Sequence, residues 1–509
     1  MEKGIGASLE YLSMTKPKRF LKKTLCFFQS IPQRIWKAIQ SIPRHIQNFF
    51  RAIGRYFYGL YEALRYGNYK VKLSSIIFGF GCLSYRQIWR GILLLLYEIV
   101  FILYMVFFGG QYISKLGTLG TVETTTTESG FKIVGDNSFN IMLYSVMTIV
   151  IILLTFVVWT MSIKLAYDSQ KNDAIAKRLK SAKDDVNGFL NENFHYTLLS
   201  IPTILLVLFT VIPLIFMILV GFTNYNATHM PPNKLFTWVG FDNFNTLLSG
   251  RGLGGGDLAN FSYAFWKILA WTFLWAIVAT FSNFFLGMVL ALMINKKGIK
   301  LKKFWRTALV AVIAVPQFIS LLLMSKMLTN DGIINVVLET IFHLKSPAVE
   351  WLMHPTEAKI AIILVNLWIG IPYTVLSATG ILMNIPSDLY EASRIDGANA
   401  FKMFTKITLP YTMFVMGPSL ITSFTGNLNN FNIIFLLTGG TVGFGDSRLV
   451  SAKAGDTDLL ITWLYKLTVN ENYYDIGSVI GIILFVIIAF ISLIVYSRIG
   501  SNKNEEDFQ

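Results

Sequence analysis

The chain is poor in most of what a soluble enzyme uses. Two cysteines, Cys26 and Cys82, share no metal-ligand spacing, so neither a disulfide framework nor a zinc site is expected. The five histidines are scattered and form no HExxH pattern, and no GxxxxGK[ST] phosphate loop is present. The chain is therefore not expected to hydrolyse ATP, nor to hold a metal or cofactor of its own. The start, MEKGIGASLEYLSMTKPKRF, lacks the apolar core of a signal peptide and is expected to stay in the cytoplasm. Carboxylates are nearly missing from the long apolar runs, with Glu98 alone well inside one. An ion-coupled transporter would place carboxylates deeper in its pathway. Their scarcity points to energy supplied from outside the chain.

Apolar residues make up 54% of the 509, with 15% aromatic and a mean hydropathy of +0.54. That composition belongs to an all-α polytopic membrane protein. A spanning helix needs about 20 mostly apolar residues, and eight runs qualify: 88–108, 139–163, 198–222, 266–294, 304–328, 359–384, 411–437 and 476–496. Pro202, Pro213, Pro316, Pro372 and Pro418 fall inside them, which is tolerable where neighbouring helices satisfy the freed backbone groups. The net charge of +15 could suggest nucleic acid on a soluble surface. Here the cations collect in alternate segments between the runs, 33 on one side against 8 on the other, Arg90 counted with the first. That asymmetry places both termini in the cytoplasm of a multi-pass cell-membrane protein and excludes a nucleic-acid partner.

The layout follows. Residues 1–87 form a basic cytoplasmic region, 88–163 two helices, 164–197 a cytoplasmic linker, 198–497 six helices, and 498–509 a cytoplasmic tail. Within the first region Gln29-Ser30-Ile31-Pro32 returns as Gln40-Ser41-Ile42-Pro43. Eleven residues is close to three helical turns, so Ile35, Ile39 and Ile46 share a face beside Trp36 and Phe49. Basic amphipathic helices on the lipid surface are expected there, the alternative being an unstructured basic tail.

Two stretches carry the functional signal. The cytoplasmic loop 385–410, IPSDLYEASRIDGANAFKMFTKITLP, reads as helix, turn and helix. Asp388 and Glu391 have capping-box spacing, Gly397 suits a left-handed helix end, and a second helix from Ala398 is expected to stop at Pro410. The other stretch is polar residues inside spans: Asn366, Trp368, Gly370, Pro372 and Tyr373 in the sixth, and Ser423, Thr425, Asn427, Asn429, Asn430 and Asn432 in the seventh. Buried amides must meet each other, water or a ligand. Interhelical hydrogen bonding is one use and the lining of a wet pathway another. Sugar hydroxyls suit such a lining, since amides and hydroxyls partner them without formal charge.

Glu391, Ala392, Ser393, Asp396, Gly397, Ile407, Leu409 and Pro410 together resemble the EAA signature of ABC importer permeases, in its carbohydrate-importer form. The segments VNLWIGIPY from Val365, SFTGNLNNFNIIFLLTGG from Ser423 and TDLLITWLYKLT from Thr457 resemble the larger permease subunit of maltose and maltodextrin importers. The resemblance implies a six-helix permease core preceded by two extra helices. It implies a second permease, two copies of an ATPase that binds the ATP, an extracellular sugar-binding protein and an oligosaccharide substrate. The eight loop residues would couple to the ATPase, and Gly370, Tyr373, Ser423, Asn427 and Asn430 would line the sugar site. Another glycan, raffinose-type or xylan-derived, is the alternative within the family; an ion-coupled transporter is the alternative outside it. Gly426 stands where the enterobacterial pattern has an aromatic ring, and Phe424, Phe431 and Trp368 are candidates to replace it.

Overall fold

The computed structural model describes residues 48, 51–126, 128, 132–175, 181–250, 258–296, 298–343, 349–443 and 445–496. The repeat at residues 29–46 and the tail 498–509 lie outside them. Among the described residues the only strands are the antiparallel pairs Thr125–Thr126 and Lys132–Ile133.

Among the described residues seven helices are long and apolar enough to cross a bilayer: α1 (Ile88–Lys115), α2 (Ser138–Ala174), α3 (Phe194–Val220), α4 (Ala259–Asn295), α7 (Pro355–Met383), α9 (Ala400–Thr438) and α11 (Tyr474–Ile494). Between α4 and α7, α5 (Lys302–Ala314) and α6 (Gln317–Met327) meet at 90°, and taken as one span they make eight. The fifth run, expected as one span that tolerates Pro316 inside it, is thus corrected to a broken one. Pro316 forces Val315 out of the helical region to ψ 127°, and α5 ends there. Pro202, Pro372 and Pro418, by contrast, stay within helices.

A second correction concerns Pro410. The helix does not stop there but runs through a π-turn, Phe404–Thr408, directly into Leu409–Leu428. The wide turn ends two residues before Pro410, which has no N–H to donate, so the ladder absorbs the missing bond without breaking. The π-turn Val207–Val211 precedes Pro213 in the same way.

The chain divides into two compact units, Met1–Phe108 with Ile149–Pro202, and Gly109–Thr148 with Thr203–Gln509. In the first, Leu60, Ala63 and Val71 pack on Ile163 and Ala166. Gly79 N donates to Ser162 Oγ at 2.8 Å, and Trp159 Nε1 to the Ser75 carbonyl at 2.9 Å. Glu98 accepts from the Phe78 N–H at 2.8 Å, so this carboxylate satisfies backbone. Arg90 forms a two-pronged ion pair with Asp185.

In the second unit α4 packs along α7, closely enough that a Cβ at Gly287 would lie 2.5 Å from Thr374. Small residues at such crossings let apolar helices approach where lipid offers no hydrophobic contrast. The segment between α9 and α11 folds into the unit as α10 (Leu460–Tyr465) and the π-turn Lys466–Asn470. Leu460, Trp463 and Leu467 are fully buried against Phe265, Val479 and Ile480.

That segment carries a buried ion pair. Asp458, fully buried, accepts from Lys466 Nζ at 2.7 Å, Thr462 Oγ1 at 2.8 Å and the Gly455 N–H at 2.7 Å. Burial pushes its carboxyl up to about 6, against the lowering pull of Lys466. The folded chain therefore holds this proton more tightly than the unfolded chain. The resulting stabilisation is full below about pH 4 and is lost as pH rises through about 6. Lys466→Met strands the carboxylate, with an expected cost of about 3 kcal/mol at pH 8. Protonation relieves the stranded charge, so thermal unfolding of purified protein should show the deficit shrinking at pH 5.5. An equal deficit at both pH values would refute this.

Candidate functional site

A cavity of about 350 Å³ opens within the second unit, between α4, α7 and α9, with Gln317 of α6 at its edge. All five residues expected at a sugar site line it: Gly370 and Tyr373 from α7, and Ser423, Asn427 and Asn430 from α9. Tyr373 follows Gly370 by three residues and Asn427 follows Ser423 by four, so each pair shares a helix face. No Asp, Glu, Lys or Arg is among the lining residues. The volume falls in the range of small-molecule sites.

α9 breaks at the cavity. Leu409–Leu428 ends, Asn429 and Asn430 leave helical geometry, and Phe431–Thr438 resumes with Asn430 as its cap. Asn430 Oδ1 accepts from the Ile433 N–H at 3.4 Å and its Nδ2 donates to Asn427 Oδ1 at 3.4 Å. Asn427 Nδ2 donates to Thr280 Oγ1 of α4 at 3.0 Å, and Trp275 Nε1 to the Asn427 carbonyl at 3.1 Å. Asn427 thus pairs across helices while lining the cavity, and Asn430 lines it while bonding within its own span.

Sequence reasoning missed Thr280, Asn283 and Gln317 as lining, and named Asn366 among the polar residues of the sixth span but not among the five sugar contacts. Asn283 had a signal: it is the only amide side chain in the apolar run 266–294. Gly370 also gains a structural explanation. A Cβ there would lie 2.5–2.7 Å from the Asn283 side chain, so the missing side chain gives that amide its place.

None of Phe424, Phe431 or Trp368 lines the cavity; its rings are Phe284 and Tyr373. Phe431 instead stacks on Phe435 at 4.7 Å and meets Tyr465 edge-on at 5.0 Å. A Cβ at Gly426 would meet nothing within 4 Å, so the absent ring leaves open space.

The loop 385–410 forms a helix, a turn and a helix. α8 (Ser387–Ile395) begins two residues earlier than a cap at Asp388 would set it and has no capping box, since Pro386 precedes it and no side chain caps it. Its far end is a Schellman turn: Ala398 N donates to the Ser393 carbonyl at 2.9 Å and Gly397 N to that of Arg394 at 3.0 Å, with Gly397 at φ +70°. Asn399 caps the next helix through the Lys402 N–H at 2.9 Å, so that helix starts at Ala400 rather than Ala398. Tyr390 Oη and Thr408 Oγ1, 2.9 Å apart, tie α8 back to the π-turn. Glu391, Ala392, Asp396, Gly397 and Pro410 are exposed, and Ser393, Ile407 and Leu409 half-buried. Leu389, Ile395 and Phe401 present large exposed apolar side chains on the same loop.

Residues 283–502 match the family described as binding-protein-dependent transport system inner membrane component. The maltodextrin transport system permease protein MalC of Streptococcus pneumoniae is 33% identical over 452 residues, 86% of this chain and 97% of that protein. The galactooligosaccharides transport system permease protein GanP of Bacillus subtilis is 32% identical over 436 residues, 85% of this chain and 98% of that one. A bacterial alginate ABC transporter, solved with an alginate pentasaccharide-bound periplasmic protein, aligns to 62% of this chain and 97% of its own, at 21% identity and TM-score 0.49.

Proposed function

Because the chain belongs to the family of binding-protein-dependent transport system inner membrane components, we propose that it carries an oligosaccharide, a maltodextrin, through the cavity between α4, α7 and α9. The observation that carries this is the lining: amides, hydroxyls and two rings with no charged group. Uncharged donors and acceptors match sugar hydroxyls, and the rings of Phe284 and Tyr373 offer apolar faces to a pyranose. Gly370, Tyr373, Ser423, Asn427 and Asn430 are the sugar contacts in this assignment.

Transport runs by alternating access. A second permease completes the pathway, a pair of ATPase subunits binds and hydrolyses the ATP, and an extracellular binding protein delivers the sugar. The exposed loop around Glu391 and Gly397 seats in the ATPase, with Leu389, Ile395 and Phe401 as apolar contacts, and carries its closure to the helices as a rigid-body movement. Both termini face the cytoplasm in this arrangement.

A galactooligosaccharide is the second candidate, favoured by the near-equal similarity to GanP. Uptake of labelled maltotriose and a labelled galactotriose, in cells with ATP retained and the membrane gradient collapsed, separates the possibilities. Maltotriose uptake persisting without the gradient is the expected result. Uptake that vanishes with the gradient would instead mark a secondary transporter, and preference for galactotriose would reassign the sugar.

A further inference from the structure

We propose that a cavity at the start of α1 binds the headgroup of an anionic phospholipid, with Arg86 taking its phosphate and the exposed stripe of α1 meeting its acyl chains. The site belongs wholly to the first unit and stands whichever sugar the importer carries. The cavity has a volume of about 350 Å³; Arg86, Gln87, Trp89 and Arg90 line one wall, and Ser181 and Asp185 the other. Arg90 joins the two walls. Its Nε donates to Asp185 Oδ2 at 2.6 Å, its Nη2 to Asp185 Oδ1, and its Nη1 to Gln87 Oε1 at 3.4 Å. That pair matches its charges internally, which leaves Arg86 as the unmatched cation. Arg86 is exposed, and among the described residues no carboxylate pairs with it.

The backbone makes this placement informative. Arg86 closes a Schellman turn, with its N–H bonded to the Leu83 carbonyl at 3.0 Å and that of Gln87 to the Cys82 carbonyl at 2.8 Å, and it sits at φ +61°. Glycine or asparagine would hold that position at less cost, so an arginine there keeps its charge against the preference of the backbone. The turn is seated closely on α1, since a Cβ at Gly91 would lie 2.4 Å from Leu83 Cγ. The guanidinium is thereby delivered to the first turn of a spanning helix.

What borders the cavity identifies the occupant. Trp89, Ile92, Leu93 and Leu96 recur at i, i+3, i+4 and i+7 along α1, and all four are exposed. Val186, Phe189 and Leu190 are exposed at i, i+3 and i+4 on the facing segment, Ala182–Asn187 with the π-turn Gly188–Glu192. A polar pocket with apolar surface on both walls suits a molecule with a charged head and hydrocarbon tails. A soluble phosphate would use the pocket and leave the stripes bare. Trp89 stands at the junction, where an indole has an apolar body for the tails and an N–H to offer an ester oxygen. The guanidinium fork matches a phosphate, and a headgroup with one net negative charge balances Arg86. A choline headgroup carries its own cation and lacks that complementarity.

The test titrates the full-length chain, purified in mild detergent with the subunits that accompany it, with dioleoylphosphatidylglycerol or dioleoylphosphatidylcholine, and counts bound lipids by native mass spectrometry. The wild type should hold one phosphatidylglycerol in preference to phosphatidylcholine. Arg86→Asn should weaken that lipid about fivefold and change phosphatidylcholine binding by less than about twofold. Its thermal stability without added lipid should equal or exceed that of the wild type, because asparagine relieves the backbone. Arg86→Gly should behave alike, and Arg86→Lys, which keeps the charge, should keep the preference. Unchanged phosphatidylglycerol binding in the Asn and Gly variants overturns the proposal, as does an equal loss of both lipids. Reduced stability of both variants would make Arg86 a structural residue and overturn it as well. Displacement of the lipid by an equal concentration of inorganic phosphate or glycerol 3-phosphate would assign the pocket to a soluble phosphate instead.

Discussion

Gly370→Val should lower sugar uptake at least tenfold while leaving the amount of chain in the membrane within about twofold. Gly370 lies in the middle of α7, and the space a side chain would take is held by the Asn283 amide, 2.5–2.7 Å from an ideal Cβ. Helix propensity is not the issue, since valine is no worse than glycine there. The crowding is against the far end of a side chain that can rotate, so the fold gives way cheaply. What is lost is the cavity: the valine methyls and a displaced amide enter a space of about 350 Å³. Gly370→Ala should show the same loss in weaker form. Uptake normalised to membrane-inserted protein reads both directly. Loss of the protein from the membrane, with unchanged uptake per molecule, would show that Gly370 serves packing instead.

The second large effect is expected at Gly397, and it is graded. The residue sits at φ +70° and closes the Schellman turn between α8 and the helix that starts at Ala400. A Cβ there meets nothing within 4 Å, so the penalty for another residue is purely one of backbone conformation. Asparagine tolerates the left-handed region and should be close to wild type. Alanine should cost roughly 1–2 kcal/mol of local order. Proline is excluded on two counts, because its ring fixes φ near −65° and it removes the N–H that bonds to the Arg394 carbonyl. Copurification of the ATPase from gently solubilised membranes should therefore fall in the order Asn, Ala, Pro, with Gly397→Pro reduced more than tenfold. Glu391→Lys, which reverses an exposed charge on α8 without touching the turn, should also lose ATPase. If Gly397→Pro retains the ATPase fully, the loop is a connector and not a docking element.

Much of the architecture was legible because lipid imposes simple rules on sequence. Apolar runs of spanning length mark helices, and all eight expected runs correspond to helices in the structure, one of them as a bent pair. The Schellman turn at Gly397 was legible for a similar reason, since a glycine after a polar helix has a local conformational use. The start of α8 was less so: Asp388 and Glu391 have the spacing of a capping box, but Pro386 already fixes the entry and no side chain caps the helix. The same limit applies to Pro410 and Pro316. Each is a residue without a donor, yet one is absorbed by a π-turn and the other breaks its helix by 90°. Which occurs depends on what neighbouring segments can accommodate.

The sequence alone determined an all-helical membrane chain, the location of its polar loop, and the helix faces that carry Gly370, Tyr373, Ser423, Asn427 and Asn430. These are consequences of composition and period, which act over a few turns of one helix. The tertiary structure alone decided that α4 brings Thr280 and Asn283 to the same cavity and that Gly370 is small to make room for an amide. Those facts depend on which helix lies across from which and at what distance. Helices that share an apolar exterior say little in sequence about their neighbours; close packing of small residues such as Gly287 against Thr374 sets the pairing.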